Sequence, residues 1–351
     1  MAADSALARA FLVAGLTFFT VAVLYYGAPV IVPVVEALVV WFVLNAMASG
    51  LRRLPVVGPR LPWLVALLLS AGIALLLAVL VVQSTVATVA SLGPRASGLQ
   101  QAFDPTIARL GTAVGRDVGA MIDRLLDNLG LEAVLRSVVI GMVGLVSHFS
   151  IVAIYVGFLL VDQQFFDVKL AALVRDPDRR ARARAIFGRV ARGIQTYLWI
   201  MTLVSALTAG VTYLILLVVG VEHAFFLAAT VFILNFIPTI GSIIGTVLPA
   251  VFALMQFQAL GPTLAVLAGV GIVQFVIGNI LLPRLAGGSL NISLFVTILS
   301  LFAFGALWGI TGMFVAMPLT AMLVIVFAHF EATRPIAVLL SRTGEIEAAE
   351  S

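Results

Sequence analysis

The sequence predicts an all-α membrane protein with about eight transmembrane helices. Of its 351 residues, 62% are hydrophobic and only 10% are charged, whereas about a quarter of the residues in a soluble domain are charged. Long stretches contain no Asp, Glu, Lys or Arg, and the longest are Ala224–Pro283 and Leu285–Phe330. Because one crossing needs about 20 apolar residues, each of these stretches holds more than one span. A run such as Leu64–Val82 is apolar on every face, which is typical of a lipid-embedded helix.

Residues 1–97 are predicted to form three transmembrane helices. The first covers about Ala8–Tyr26, and we interpret it as a retained helix rather than a signal peptide because a second span follows directly. Gly27, Pro29 and Pro33 mark a tight turn into the second span. The predicted organisation continues with a helical segment at 98–136, a span at 137–161, a basic helical segment at 162–192, a transport core at 193–330 and a tail at 331–351.

Residues 98–136 are predicted to form an amphipathic helix outside the membrane. Apolar residues recur every three or four positions from Phe103 to Leu129, and Asp104-Pro105 is a typical helix start. Its four arginines, together with Arg95 just before it, balance five acidic residues. An interfacial helix is the simpler interpretation, and gating of a partner or solute is the alternative.

Residues 162–192 carry eight basic residues against four acidic ones, and Asp176-Pro177 is predicted to start a helix. Positive charge beside transmembrane helices indicates a cytoplasmic loop with some attraction to anionic lipid, not a nucleic-acid site. The loop of Arg52, Arg53 and Arg60 gives the same orientation. Both termini are therefore predicted to be cytoplasmic, with residues 98–136 on the opposite side.

The sequence lacks the motifs of common enzymes. It contains no cysteine, a single lysine at position 169 and no glycine-rich phosphate loop. Its three histidines are far apart and belong to no zinc-protease pattern. We therefore predict neither a catalytic residue, nor a metal site, nor a cofactor, and transport is favoured over catalysis.

The strongest functional pattern is an interrupted helix at Asn235–Pro249, where prolines, glycines and polar residues break an apolar run. Broken backbone is tolerated at membrane depth only where protein or water receives it, and transporters place substrate at such breaks. A second break follows Gln274 and runs to Asn291. The predicted transport path consists of Asn235, Pro238, Thr239, Gly241, Ser242, Gly245, Pro249, Gln274, Asn279, Pro283, Arg284, Gly287, Gly288 and Asn291.

The short segments on either side of the breaks indicate re-entrant or broken helices arranged as paired hairpins, which would fit an internal repeat. A third glycine-rich stretch contains Gly305, Gly309 and Gly312. The spacings Gly241–Gly245 and Gly305–Gly309 could equally serve close helix packing.

Two charged residues stand out because they lie within or between the apolar stretches of the sequence. Glu36 is the one acidic residue set inside a span, where a charge costs roughly 2.5–3.5 kcal/mol on insertion scales. It could be paired near the interface, or it could couple proton or cation movement. Arg284 could place its charge at the cytoplasmic interface, or it could anchor a polar substrate.

Four segments resemble the autoinducer-2 exporter family of bacterial permeases, also called AI-2E or PerM-like transporters. They are Tyr155–Asp167 (YVGFLLVDQQFFD), Asn235–Pro249 (NFIPTIGSIIGTVLP), Asn279–Ser293 (NILLPRLAGGSLNIS) and Gly309–Pro318 (GITGMFVAMP). The resemblance implies a multi-pass protein of the bacterial inner membrane and a homo-oligomer, with a pentamer expected. It also implies export of a signalling molecule, or sodium/proton exchange as described for some members.

The sequence thus predicts a secondary transporter that exports a small polar metabolite or signalling molecule by alternating access. The first alternative is a cation/proton antiporter that uses Glu36. The second is a membrane scaffold that transports nothing. The expected partners are the lipid bilayer, a small polar solute and either proton or sodium.

Overall fold

A computed structural model describes residues 2–52, 61–96, 131–286, 292–331 and 333–344 of the chain. Most of the predicted amphipathic segment at 98–136 lies outside the described residues, as do Gly287, Gly288 and Asn291. Within the described ranges the secondary structure is helical, apart from an isolated bridge between Ile292 and Ser341. The predicted all-α class is confirmed.

The helices follow one another closely along the chain. In order they are α1 (Ala2–Tyr26), α2 (Ala28–Arg52), α3 (Trp63–Ala96), α4 (Leu131–Asp162), α5 (Phe166–Leu173), α6 (Pro177–Val219), α7 (Ala224–Leu234), α8 (Ile240–Phe257), α9 (Leu260–Val276), α10 (Leu282–Ala286), α11 (Leu294–His329) and α12 (Arg334–Leu340). Seven helices in the described ranges are long and apolar enough to cross a membrane, and Ala14–Tyr26 is a shorter apolar helix. The multi-pass prediction is therefore confirmed.

Helix α6 joins two predicted elements, the basic segment at 162–192 and the start of the transport core at 193–330. The side chain of Asp176 caps its first turn by accepting from the N–H groups of Asp178 and Arg179 at 2.8 and 3.2 Å. Gly220 ends the helix in the left-handed conformation. With 43 residues, α6 is about 65 Å long, so its basic first part extends beyond a ~30 Å hydrocarbon core.

Helices α7 and α8 form a hairpin, called hairpin 1 (Ala224–Phe257), whose two ends lie together. Gln256, near the end of α8, accepts from the N–H of Glu222 at 2.7 Å and donates to the C=O of Gly220 at 2.9 Å. Because α7 has only 11 residues, it advances about 16 Å before the chain turns back. Hairpin 1 is thus a re-entrant element.

Helix α11 also folds back on itself, and we call it hairpin 2 (Leu294–His329). A straight helix of 36 residues would be about 54 Å long. Yet the start of the helix is tied to Leu340, because the Ser293 N–H donates to the C=O of Leu340 at 3.0 Å. The residues from His329 to Leu340 can span only about 30 Å, so the two ends of α11 must lie closer together than a straight helix allows. The reversal occurs at Gly309, where φ is 65° and ψ is −145°.

The two hairpins enter the bundle from opposite ends. Hairpin 1 is anchored beside Gly220, at the end of α6. Hairpin 2 has its open end beside the earlier part of α6, since a Cβ at Gly193 would lie 3.1 Å from the side chain of Ile325. Gly193 and Gly220 are about 40 Å apart along the helix axis. Two hairpins with inverted entry therefore exist, but the second reverses at Gly309 and not at the predicted second break after Gln274.

Candidate functional site

The tips of the two hairpins meet in the middle of the bundle. Tip 1 is the turn of residues 235–239 between α7 and α8. There the Asn235 side chain donates to the hydroxyl of Thr208 at 3.1 Å. Thr208 lies about 18 Å along α6 from Gly220, which is near the middle of a ~30 Å core. The ring of Phe236 contacts that of Phe314 in hairpin 2, with centroids 5.0 Å apart. This contact lies beside a hydrophobic cluster that includes Leu234 and Ile237 of hairpin 1 and Leu301 and Ala316 of hairpin 2, so the two re-entrant elements join over several side chains.

Tip 1 has an uncommon backbone conformation. Thr239 has φ 64° and ψ −57°, and the Ile240 N–H donates to the C=O of Pro238 at 2.7 Å. This is a classic γ-turn, which is rare and strained, most of all for a β-branched residue. Gly241 follows because a Cβ there would overlap the backbone C=O of Leu234. Strain of this kind concentrates at functional sites.

Tip 2, the reversal at Gly309, is built around glycines for which the sequence left close helix packing open as an equal alternative. A Cβ at Gly312 would overlap the backbone C=O of Phe304, so the arms of hairpin 2 are in direct contact there. The indole N–H of Trp308 donates to the C=O of Leu24 in α1 at 2.8 Å. Tip 2 is missing from the predicted path, although the glycine spacing was available as a signal.

A cleft of about 340 Å³ opens between α8 and α9, beside tip 1. It brings together Ser242, Gln274 and Asn279, three predicted path residues that are distant in sequence. Ser242 links the cleft to the tip because its hydroxyl donates to the C=O of Thr239 at 2.9 Å. The lining consists of Ser242, Ile243, Thr246, Val247, Gln274, Phe275 and Asn279.

Asn279 reaches the cleft from a π-helical turn, Ile277–Leu281, that interrupts the helix after α9. Such turns are frequent at functional sites. In its described part, which ends at Ala286, the predicted second break is therefore a π-turn. Thr246 and Phe275 also line the cleft and are absent from the predicted path.

The remaining predicted path residues have other positions. Gly245 lies beneath the amide of Gln274, since a Cβ there would be 3.1 Å from Nε2. Pro249 is buried inside α8, whereas Pro283 and Arg284 are exposed on α10 and do not line the cleft.

Several buried polar atoms have no hydrogen-bond partner among the described residues. Both carboxyl oxygens of Glu36 are in this state, and the residue is 5% exposed. The amide nitrogen of Gln274 is a second case, and three hydroxyls of α6 share the property, those of Thr202, Ser205 and Thr212. Unpaired buried groups cost about 1–3 kcal/mol each, so they mark places that water or a ligand could occupy.

Comparison with known proteins agrees with this architecture. The chain is 28% identical to the AI-2 transport protein TqsA of Escherichia coli over 90% of both chains. It is 32% identical to a Haemophilus influenzae protein provisionally named a transport protein, over 60% of each chain. The sequence profile of the AI-2E family transporters matches residues 14–332. The chain, with its multi-pass helical fold and inverted hairpins, therefore belongs to the AI-2E transporter family.

Proposed function

We propose that the protein is a secondary permease that exports a small polar metabolite or signalling molecule by alternating access. The observation that carries the proposal is the meeting of two oppositely entering hairpin tips at mid-bundle depth. In this proposal each hairpin gates one side of the path. The two gates meet where the tips pack together, at Phe236 and Phe314 and the adjoining cluster of Leu234, Ile237, Leu301 and Ala316.

The polar groups beside this barrier support a solute path. Asn235, the strained turn at Thr239 and the cleft at Gln274 all lie next to tip 1. Hydrogen-bonding groups at this depth are costly unless water or solute meets them. Movement of one hairpin while the other stays in place would expose the cleft to one end of the bundle at a time.

Autoinducer-2 is the first cargo to test, because the relative named for AI-2 transport matches 90% of this chain. With the basic start of α6 on the cytoplasmic side, as predicted, export would run from the open end of hairpin 2 towards that of hairpin 1. The proposed location is the bacterial inner membrane.

The test is release of preloaded autoinducer-2 from proteoliposomes that contain the purified protein. We expect release well above that of protein-free liposomes, and Asn235→Ala should slow it at least tenfold because tip 1 loses its bond to α6. Asn45→Ala is the matched control, since Asn45 is also buried but bonds only within its own helix.

Release no faster than in protein-free liposomes, for autoinducer-2 and a panel of small polar metabolites, would overturn the permease and favour the scaffold. An equal effect of Asn235→Ala and Asn45→Ala would remove tip 1 from the path.

A cation/proton antiporter is the second candidate, favoured by the Glu36 carboxyl inside α2, whose two oxygens have no hydrogen-bond partner among the described residues. A proton or a cation would stabilise such a carboxyl at membrane depth. Glu36→Gln keeps the shape and removes the charge. Loss of sodium-driven proton flux in this variant would support the antiporter, and unchanged flux would exclude it.

A further inference from the structure

The cleft between α8 and α9 has the composition of a selective binding site, an inference that rests on the proposed permease function. Gln274 lines the cleft and is only 8% exposed, and its amide nitrogen, itself buried, has no hydrogen-bond partner among the described residues. Gly245 leaves room for this amide, because a Cβ there would lie 3.1 Å from Nε2. The side chain of Gln274 therefore carries an unpaired donor beside the cleft.

The other polar groups of the cleft offer acceptors. Asn279 uses its amide nitrogen to bond the C=O of Phe275 at 3.1 Å, and its side-chain oxygen remains available as an acceptor. The hydroxyl hydrogens of Ser242 and Thr246 are committed to the backbone at 2.9 and 2.8 Å, so their oxygens can only accept. The cleft thus combines the side-chain donor of Gln274 with several acceptor oxygens.

The cleft carries no charged side chain, and its walls include Ile243, Val247 and Phe275. An ion at this depth would need a counter-charge, since the desolvation of a charge costs several kcal/mol or more. Arg284, the nearest charged residue along the chain, does not line the cleft. The lining of the cleft therefore favours an uncharged solute with an apolar face.

We propose that this cleft is the solute-binding site, and that it selects a small uncharged molecule with both a hydroxyl group and an acceptor oxygen. The Gln274 amide donates to the acceptor oxygen, and the side-chain oxygen of Asn279 accepts from the hydroxyl. Phe275 contacts the apolar face of the solute. A volume of about 340 Å³ is at the small end of ligand pockets.

The absence of cysteine from the sequence permits a direct test on the full-length protein. Thr246→Cys places a thiol of nearly equal size in the cleft. In proteoliposomes it is labelled with four methanethiosulfonates of similar size, which carry hydroxyethyl, propyl, aminoethyl or sulfonatoethyl groups. Each rate is divided by the rate of the same reagent with 2-mercaptoethanol, to remove intrinsic reactivity.

We expect the hydroxyethyl reagent to label Thr246→Cys at least tenfold faster than either charged reagent, and faster than the propyl reagent. Ile272→Cys is the matched control, since Ile272 is an exposed residue of α9 that does not line the cleft. There the propyl reagent should be fastest. Adding Gln274→Leu to Thr246→Cys should lower the hydroxyethyl-to-propyl ratio at least threefold.

Preference for a charged reagent at Thr246→Cys would overturn the selectivity, and preference for propyl at both positions would show a lipid-facing groove. An unchanged ratio in the Gln274→Leu background would exclude Gln274 as the donor. Selective labelling without solute release would refute the permease and keep the site, whereas release without selective labelling would refute the site alone.

Discussion

The rings of Phe236 and Phe314 lie 5.0 Å apart and join two hairpins that enter from opposite ends of the bundle. Aromatic pairs of this kind contribute about 0.5–1.5 kcal/mol beyond the burial of their surface. A contact of that size can hold the tips together and still break on the timescale of transport. The barrier is therefore local, although the hairpins that carry it are long.

Weakening this contact should make the protein leak. Phe236→Leu keeps an apolar side chain but removes the ring that meets Phe314, so we expect faster release of preloaded solute without a driving gradient. Phe226→Leu is the control, because Phe226 is equally buried yet packs against Phe252 inside hairpin 1. Equal leak rates for the two variants would contradict a barrier at the tips.

The hairpin glycines should not tolerate a methyl group. In Gly241→Ala and Gly312→Ala the new Cβ would overlap a backbone carbonyl, so the arms must separate at a cost of about 1–3 kcal/mol or more. We expect a clear fall in the detergent-solubilised thermal unfolding temperature for both. Gly210→Ala and Gly261→Ala have nothing within 4 Å and should match the parent protein. A normal unfolding temperature for Gly312→Ala would refute the fold-back of α11.

The turn at Thr239 should be stabilised by glycine at the expense of function. A non-glycine residue in this conformation costs about 1–3 kcal/mol, and Thr239→Gly removes most of that strain. We expect a higher thermal unfolding temperature together with slower solute release, since the turn becomes flexible. Thr263→Gly, in an ordinary helix, should lower the unfolding temperature instead. A destabilised Thr239→Gly would show that the strain is absent.

The carboxyl of Glu36 should reduce stability. Because neither oxygen has a hydrogen-bond partner among the described residues, replacement by an apolar residue of similar length removes a desolvation cost of about 1–3 kcal/mol. We expect Glu36→Met to raise the thermal unfolding temperature, whereas Glu331→Met on the exposed surface should change it little. A lower temperature for Glu36→Met would indicate that the carboxyl has a bound cation or water as partner.

Local signals in the sequence predict the fold well. Asp176-Pro177 starts α6 and Gly220 ends it, as capping preferences require. Charge-free stretches mark the apolar helices, because length and hydrophobicity alone decide what can cross a bilayer. The prediction placed a boundary between the basic segment and the transport core, where the composition changes. The structure has one continuous helix there, because a change in composition does not interrupt a helix.

The site is predicted less completely, because it depends on how distant segments turn. Asn235 and Thr239 were found from helix-breaking residues, and they form tip 1. The second tip at Gly309 was missed because glycines spaced by four also fit straight packed helices. Ser242 and Gln274 were both predicted, but only the turn at Gln258 and Ala259, after hairpin 1, brings α8 against α9 and places them in one cleft.

The inverted hairpins also determine where the membrane potential acts. If water follows each hairpin to its tip, the low-dielectric septum shrinks to the layer of apolar side chains where the tips pack, which includes Phe236, Phe314, Leu234 and Ala316. Nearly the whole voltage would then fall across this layer, at about 2.3 kcal/mol per elementary charge for each 100 mV. An uncharged cargo would cross this septum without feeling the voltage, whereas an ion moving with it would make transport steeply voltage-dependent.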